Sequence, residues 1–521
     1  MPEEALAELY EQLKKKYVST FRSEAKTDQH NPFRKYRNCP EKFASEVLGV
    51  TWWSKQIQLC HLIRDYDRVA AKAGHSVGKT HGVAGAVIWF LHAFDPAIIV
   101  TTAPSTEQVI NEIWMEIRKQ AAGAKVPLFK GLLPAKPFWR VSPHWYATGF
   151  STDKGDRFRG KHGPNMLFVF DEATGIPPFV WEETENMCTV PGNKILALGN
   201  PINPSGDFYD AFKSGSGWAQ LKISCLDHPN VVHGKQIFPG AVSRQWVEKR
   251  IAKYCTPITA ADVDPAVDFE YPKQSGQWYR PSATFMCRVL GEFPQEGPDV
   301  LITFAQVVYA RTRAPIPIDE LSSVDIGLDV AYQGGDACVL FARRGPCVIA
   351  REKWYGRDTE FTIRRTAAFC RKLHIQGYRV GTVAVDAIGI GSGVAAGLQG
   401  LQNDGELSVG RVLAIQVSEK AVSVEKYENQ RAELAFALAE RFAQGSIDMT
   451  RLGEAGEDFE NQAPLIKWDY SRNGRYRIES KDKIRARIGL SPDDFDAMCL
   501  CFVDTADAFA ENYAAVMEAA A

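Results

Sequence analysis

The chain is 521 residues long, 45% hydrophobic and 24% charged, with a formal net charge of −2 at pH 7. That length exceeds one ordinary core and predicts two domains of a soluble globular protein, and no apolar run reaches bilayer length or the pattern of a secretory signal. The near-neutral balance gives no global affinity for nucleic acid, so any DNA contact must come from local basic patches.

In chain order, the charged start MPEEALAELYEQLKKKY predicts a peripheral helix. Trp52-Trp53-Ser54-Lys55-Gln56 follows, and it has two readings. The aromatic pair and the Gln56 amide suit an adenine pocket, or the tryptophans simply pack a helix. Ala73-Gly74-His75-Ser76-Val77-Gly78-Lys79-Thr80 fits a phosphate-binding loop in which Ala73 takes the first small position. Backbone N–H groups of such a loop cradle phosphates, Lys79 reaches the β and γ phosphates of ATP, and the Thr80 hydroxyl holds Mg²⁺. Val83 to Phe94 predicts the helix that opens from it. Ala97–Thr102 predicts a buried strand and Ser105–Lys119 a helix. The basic loop Asp156–His162 offers Arg159, with Arg157 as competitor, to the γ-phosphate of its own or a neighbouring subunit's nucleotide. Met166–Phe170 is a continuous apolar strand ending in Asp171-Glu172. Asp171 suits the Mg²⁺ shell and Glu172 the general base that activates water. Lys194–Leu198 predicts a further strand, after which Asn200 is placed to sense the γ-phosphate. Alternating strands and helices argue for a parallel sheet with nucleotide at its carboxyl edge.

Proline and turn residues then predict a connector, taken as 296–320 between an ATPase domain over 1–295 and a second domain over 321–521. In the second, Val324–Val330 alternates, placing Asp325, Gly327 and Asp329 on one face. An acid on that face is costly without a cation or a task. Gln333–Asp336 predicts a tight turn before a strand over Ala337–Ala342. Gly381–Val385 predicts a strand ending at Asp386. Ser491-Pro492-Asp493 predicts a helix start, with Ser491 as N-cap, and brings Asp493, Asp494 and Asp496 into one turn. Acids on three separate elements predict a ribonuclease-H-like site for two Mg²⁺ or Mn²⁺ ions. Before them, Trp468–Lys483 reads as a hairpin turning at Asn473-Gly474. Its Arg472, Arg475, Arg477, Lys481 and Lys483, interleaved with Tyr470 and Tyr476, suit a DNA backbone. The 11 cysteines show no C-x-x-C pair or zinc spacing, which predicts free thiols in a reducing, cytoplasmic setting.

Taken together, Ala73–Thr80, Leu167–Glu172, Leu198–Pro201, Gly327–Asp336, Val385–Asp386 and Glu479-Ser480-Lys481 with Ser491-Pro492-Asp493 and Asp496-Ala497 resemble the large terminase subunit of tailed bacteriophages. The resemblance covers nearly the whole chain. It implies an N-terminal ASCE-type ATPase and a C-terminal ribonuclease-H-like endonuclease, an α/β protein in both halves. It also implies ATP-driven packaging of double-stranded DNA, cutting of concatemers, and a ring docked on the portal protein of the procapsid. A small terminase subunit that selects the DNA is the further implied partner. The expected location is the host cytoplasm, at the portal, and not the mature virion. By the same resemblance Arg159 is the trans-acting arginine, Asp329, Asp386 and Asp496 form the metal triad, Asp493 is held in reserve and Asp336 lies behind it. The rival readings are a cellular helicase-nuclease or DNA-repair ATPase, and a degenerate binder without activity. The missing helicase motifs after Pro201 weigh against the first, and intact Lys79, Glu172, Asp329 and Asp386 against the second.

Overall fold

The computed structural model describes residues 31–152, 161–297, 299–331, 337–355, 358–488 and 491–503. The N-terminal segment expected to be a peripheral helix lies outside them. The chain divides into two units between Pro294 and Gln295.

In the first unit seven strands, β1 (Arg68–Ala73), β2 (Ile98–Thr102), β3 (Phe138–Ser142), β4 (Trp145–Gly149), β5 (Met166–Phe170), β6 (Lys194–Gly199) and β7 (Ala219–Ile223), form one sheet. Their order is β3-β4-β2-β5-β6-β1-β7. Every neighbouring pair is parallel except β3 and β4. One strand, β6, thus separates the phosphate-loop strand β1 from the acidic strand β5, which is the ASCE arrangement. Strand β5 is apolar throughout because both its faces are covered. Leu167 and Val169 join Leu196 and Leu198 of β6 in one core layer, while Met166, Phe168 and Phe170 join Ile195 and Ala197 in the other.

Helix Lys79–Ala93 is buried at every residue from Gly82 to Ala93, as a helix apolar on all sides must be. Burying each of its larger side chains contributes about 1.5–3 kcal/mol. The helix expected over 105–119 opens at a capping box between Ser105 and Gln108. It then widens into a π-turn at Val109–Ile113 before continuing as Trp114–Ala122. A small antiparallel sheet of β8 (Cys255–Ile258), β9 (Phe269–Glu270) and β10 (Trp278–Pro281) has no counterpart in the sequence expectations. Strands of two to four residues are too short to show alternation.

The second unit holds β11 (Val324–Asp329), β12 (Ala337–Arg344), β13 (Cys347–Tyr355), β14 (Val380–Asp386) and β15 (Arg411–Ile415), in the order β13-β12-β11-β14-β15. The first three are antiparallel, and β14 and β15 add in parallel. This is a ribonuclease-H-like sheet. On β11, Val324, Ile326 and Leu328 enter one core. The opposite face receives helix Asp493–Cys501, whose backbone approaches Gly327 so closely that an added Cβ would lie 2.2 Å from Cys501 N and 2.4 Å from Ala497 O.

Three expectations are corrected here. The segment 296–320 is not merely a connector. It carries helix Phe304–Thr312, whose Val307 and Ala310 join a core of the second unit with Ile302. Ser491 does not cap the last helix: its Oγ is buried with no hydrogen-bond partner, and Pro492 is the N-cap, so the helix begins at Asp493. The hairpin is confined to β16 (Trp468–Tyr470) and β17 (Tyr476–Ile478), and Lys481 and Lys483 belong instead to helix Lys481–Ile488. All the cysteines are free thiols. Among the described residues no helix is long and apolar enough to cross a membrane.

Candidate functional site

Strand β1 runs into a loop that becomes helix Lys79–Ala93. Gly78 takes φ 82 and ψ 30, and the helix starts at the next residue; glycine adopts this left-handed turn without steric penalty. Ser76 at φ 53 and Glu172 at φ 48 do the same with a side chain, at a cost on the order of 1–3 kcal/mol each. Such strain persists only where the surroundings over-determine the backbone. Here those surroundings are a polar network centred on Lys79.

Lys79 Nζ donates to Asn200 Oδ1 at 2.7 Å and to Glu172 Oε1 at 3.3 Å. Asn200 Nδ2 in turn donates to Ala73 O at 2.7 Å, tying the end of β6 to the start of the loop. Adjacent strands therefore deliver Lys79, Asp171-Glu172 and Asn200 to one edge of the sheet. Asp171 is buried, and burial, then the charge of Glu172, pushes its carboxyl up to about 7 against the pull of Lys79. A further acid, Glu112 on the π-turn, is raised by burial and then by Glu172. Nothing in the sequence singled it out, since it is one acid among several on a helix.

Two loop residues act differently from expectation. The Gly74 N–H donates to Ile223 O at 2.9 Å and the His75 N–H to Arg288 O at 2.7 Å. Both amides are thus engaged in anchoring the loop to its neighbours. For the tryptophan pair the packing alternative holds: Trp52 and Trp53 are 6% and 4% exposed. Trp53 Nε1 donates to Val77 O at 3.1 Å. Gln56 Nε2 donates to Gly78 O at 2.8 Å while its Oε1 accepts the Trp53 N–H at 3.1 Å. Gln56 thus braces the loop with one end of its amide and caps the start of its own helix, Ser54–Asp65, with the other. Arg159 and Arg157 lie outside the described residues.

The second cluster is acidic. Asp329 at the end of β11 and Asp386 at the end of β14 are 2% and 6% exposed, and their carboxyls are within hydrogen-bonding reach of each other. Helix Asp493–Cys501, seated on Gly327, brings Asp496 to the same place. Lys481 Nζ bridges the group, 3.0 Å from Asp329 Oδ1 and 3.1 Å from Asp496 Oδ2. Arg431 Nε donates to Asp496 Oδ1 at 2.9 Å. Burial raises the Asp329 carboxyl well above the ordinary range, Lys481 pulls against it, and the neighbouring acids add to the rise. Asp386 is raised by burial as well. Asp496 is also buried, yet Arg431 and Lys481 together hold it below the ordinary value. Arg431 lies in the amphipathic helix Gln430–Ala443, and no motif marks it in the sequence.

The crowded turn is resolved by what each acid touches. Asp494 pairs with Arg351 at 2.5 Å and Lys353 at 3.2 Å and faces away from the cluster's chemistry. Asp493 Oδ2 accepts the Ala337 N–H at 2.8 Å, pinning the helix to β12, while its charge still reaches Asp329. Asp336 lies outside the described residues. The donors are carboxylate oxygens, which suit Mg²⁺ or Mn²⁺, although among the described residues no three acids, histidines or cysteines are drawn together tightly enough to hold an ion as they stand. Lys481 meets their charge in that arrangement. Of the basic residues expected on DNA, Arg472 and Lys483 are exposed and Arg475 is half-buried. Arg477 is paired across the hairpin with Asp469 at 2.6 and 2.8 Å, and Lys481 sits among the acids.

Fold and clusters together define a two-unit α/β protein, a phosphate-loop unit of ASCE order followed by a ribonuclease-H-like unit with a carboxylate cluster. No protein-family model matches the chain. In sequence it is similar to a probable terminase large subunit of Enterobacteria phage P7, 22% identical over 458 residues, which cover 84% of this chain and 85% of that protein. Among solved structures it is similar to the large terminase of a thermophilic bacteriophage, with 13% identity, 88% of this chain and 99% of that one covered, and a TM-score of 0.38. It is also similar to the nuclease domain of the large terminase subunit of bacterial virus Sf6, with 15% identity, 39% and 97% coverage, and a TM-score of 0.32. What the chain is similar to, in each of these comparisons, is a large terminase subunit of a bacterial virus.

Proposed function

We propose that this chain uses ATP hydrolysis to drive double-stranded viral DNA into procapsids and cuts concatemeric DNA endonucleolytically. One observation carries the reading. A chain similar over most of its length to a terminase large subunit brings Lys79 to Glu172 and Asn200 in one unit, and Asp329 to Asp386 and Asp496 in the other. The partners that follow are the portal protein, a small terminase subunit and further copies of this chain in a ring.

In the first unit ATP is the substrate. Lys79 is assigned to its β and γ phosphates, and the N–H groups after His75 to the oxygens around them. Thr80 and Asp171 would hold Mg²⁺ there. Glu172 takes the proton from the attacking water, and its Lys79 partner lies where the phosphate charge would compete for the same ammonium. Asn200 touches both the loop and Lys79, so it is placed to report whether the γ-phosphate is present. Arg159 is assigned to the nucleotide of a neighbouring copy.

In the second unit Asp329, Asp386 and Asp496 would hold two divalent cations, Mg²⁺ or Mn²⁺. Such cations supply stabilisation for the charge that builds on a phosphodiester as it is cleaved. Arg431 orients Asp496, and Lys481 balances the acids' charge. Arg472, Arg475 and Lys483 are assigned to the DNA backbone. The test uses two variants of the full chain. Glu172→Gln abolishes ATP hydrolysis while nucleotide binding persists, and Asp386→Asn abolishes metal-dependent plasmid cleavage while ATP hydrolysis persists. Normal turnover by the first variant refutes the base, and nicking by the second refutes the metal site.

A further inference from the structure

The charges of the first unit are unevenly placed. Residues 117–152 carry six lysines and arginines and no aspartate or glutamate, whereas residues 163–193 carry five acids and no lysine or arginine. Each run builds a defined surface. In the basic run a short hairpin ends in β3: the Leu133 N–H donates to Phe138 O at 3.0 Å and the Arg140 N–H to Gly131 O at 3.0 Å. Arg118 staples its tip, with Nη2 donating to Lys136 O at 3.0 Å, and the Gly149 N–H at the end of β4 donates to Pro137 O at 2.8 Å. Lys130, Lys136 and Arg140 are exposed on this hairpin, and none of the three side chains meets an acid among the described residues. Leu133 is 39% exposed beside them. In the acidic run, helix Pro178–Met187 buries Val180, Trp181, Thr184 and Met187. Its outer stripe at helical spacing is Phe179, Glu182, Glu183 and Asn186, and Phe179 is 44% exposed. Glu185, off that stripe, is taken by Arg68 at 2.5 Å.

We propose that these two surfaces bind each other between copies, the hairpin of one chain seated on helix Pro178–Met187 of the next. The contact sets Leu133 against Phe179, and Lys136 and Arg140 against Glu182 and Glu183. It rests on the reading above that further copies assemble in a ring, and it names the faces that meet. Charge decides the geometry. Two copies joined through the same face would oppose cation to cation or acid to acid, so only a head-to-tail contact pairs them. Such a contact closes into a ring rather than a two-fold dimer. An apolar centre within a polar rim is also how protein interfaces are built. DNA is a rival occupant for the cations alone, and it leaves Leu133 and the matching stripe of Phe179, Glu182 and Glu183 unexplained. The helix follows Glu172 after one short turn, Ala173–Gly175. The neighbouring copy therefore docks on the segment that leads away from the acid assigned to activate water, and assembly and hydrolysis rise together.

The experiment compares the full-length wild type with Lys136→Glu/Arg140→Glu, with Glu182→Lys/Glu183→Lys, and with all four changes in one chain. Sedimentation velocity without DNA gives the association constant at several salt concentrations. ATP turnover per chain is followed across the same protein concentrations, and affinity for a short DNA duplex is measured separately. Wild type associates, more tightly at low salt. Each double reversal weakens association at least about tenfold, because like charges then face each other. An equimolar mixture of the two double variants recovers association and turnover, as does the fourfold variant, which misfolded chains cannot do. The proposal is overturned if wild type sediments as a monomer at every concentration, if either double variant associates like wild type, or if mixing restores nothing. It is equally overturned if Lys136→Glu/Arg140→Glu lowers only the affinity for the duplex, which makes the hairpin a DNA surface. Wild type that associates in this way yet hydrolyses no ATP keeps the contact and removes the ATPase reading, a separate result.

Discussion

Asp494 and Asp496 sit two residues apart on one helical turn, yet their neighbours give them different work. Asp494 is fully buried against Arg351 and Lys353, and Gln462 Oε1 accepts its backbone N–H at 2.9 Å. Removing one member of a buried ion pair costs about 3–5 kcal/mol because the other charge is left without its partner. Asp494→Asn should therefore lower the unfolding midpoint of the second unit clearly, and protein that still folds should still cut DNA. Asp496→Asn should abolish cutting, while Arg431 and Lys481 retain Asp329 and backbone partners nearby. Thermal unfolding and plasmid cleavage measured on both variants check the pair. Equal loss of cleavage per folded molecule would merge the two roles. Lys481 makes a similar point: residue type and local charge suggested DNA contact, and only its position between Asp329 and Asp496 gives its partner.

Two elements carry consequences of their own. Helix Asp493–Cys501 lies on the Gly327 backbone, and a methyl group there would fall within 2.4 Å of main-chain atoms that cannot rotate aside. Overpacking of this kind typically costs about 1–3 kcal/mol. Gly327→Ala should thus push the helix off β11, lowering the second unit's stability and reducing cleavage at least about tenfold, since Asp496 travels with the helix. Unchanged cleavage would mean the helix does not set the position of Asp496. In the first unit, helix Lys79–Ala93 buries His92 completely. Its Nε2 accepts the Phe129 N–H at 3.1 Å, so Nδ1 carries the proton that bonds Ile88 O at 2.8 Å. The ring is neutral, and burial lowers it to about 4 while the Ile88 carbonyl pulls the other way. An unfolded histidine titrates near 6.5. Stability from this residue is full above that pH and is lost as pH falls from 6.5 towards 4, because the unfolded chain binds the proton more readily. The span corresponds to about 3 kcal/mol. The first unit's unfolding midpoint should drop across that range, and the slope should flatten in His92→Gln. An unchanged slope would assign the acid sensitivity to other groups.

At the scale of the molecule the two units have separate cores, with no residue of the first unit's core layers appearing in those of the second. Calorimetry of the full chain should resolve two transitions. A non-hydrolysable ATP analogue should move one and Mn²⁺ in the absence of nucleotide should move the other, each as binding to a folded state requires. A single transition shifted alike by both ligands would contradict independent sites.

The amino-acid sequence on its own determined the classes of element and both chemical clusters. Continuous apolar runs ending in acids declare buried parallel strands, and Gly78-Lys79-Thr80 requires few neighbours to be read. The acids Asp329 and Asp386 were legible because each ends a strand whose apolar pattern is strong. Tertiary structure decided the rest, because those choices depend on groups far apart in the chain. It set Asp496 beside Arg431 and Lys481 and Asp494 beside Arg351 and Lys353, and used Gln56 and Trp53 as braces for Gly78 and Val77. It also made 296–320 part of a core. Local pattern fixes what a residue can do, whereas contacts with residues far along the chain fix what it is left to do.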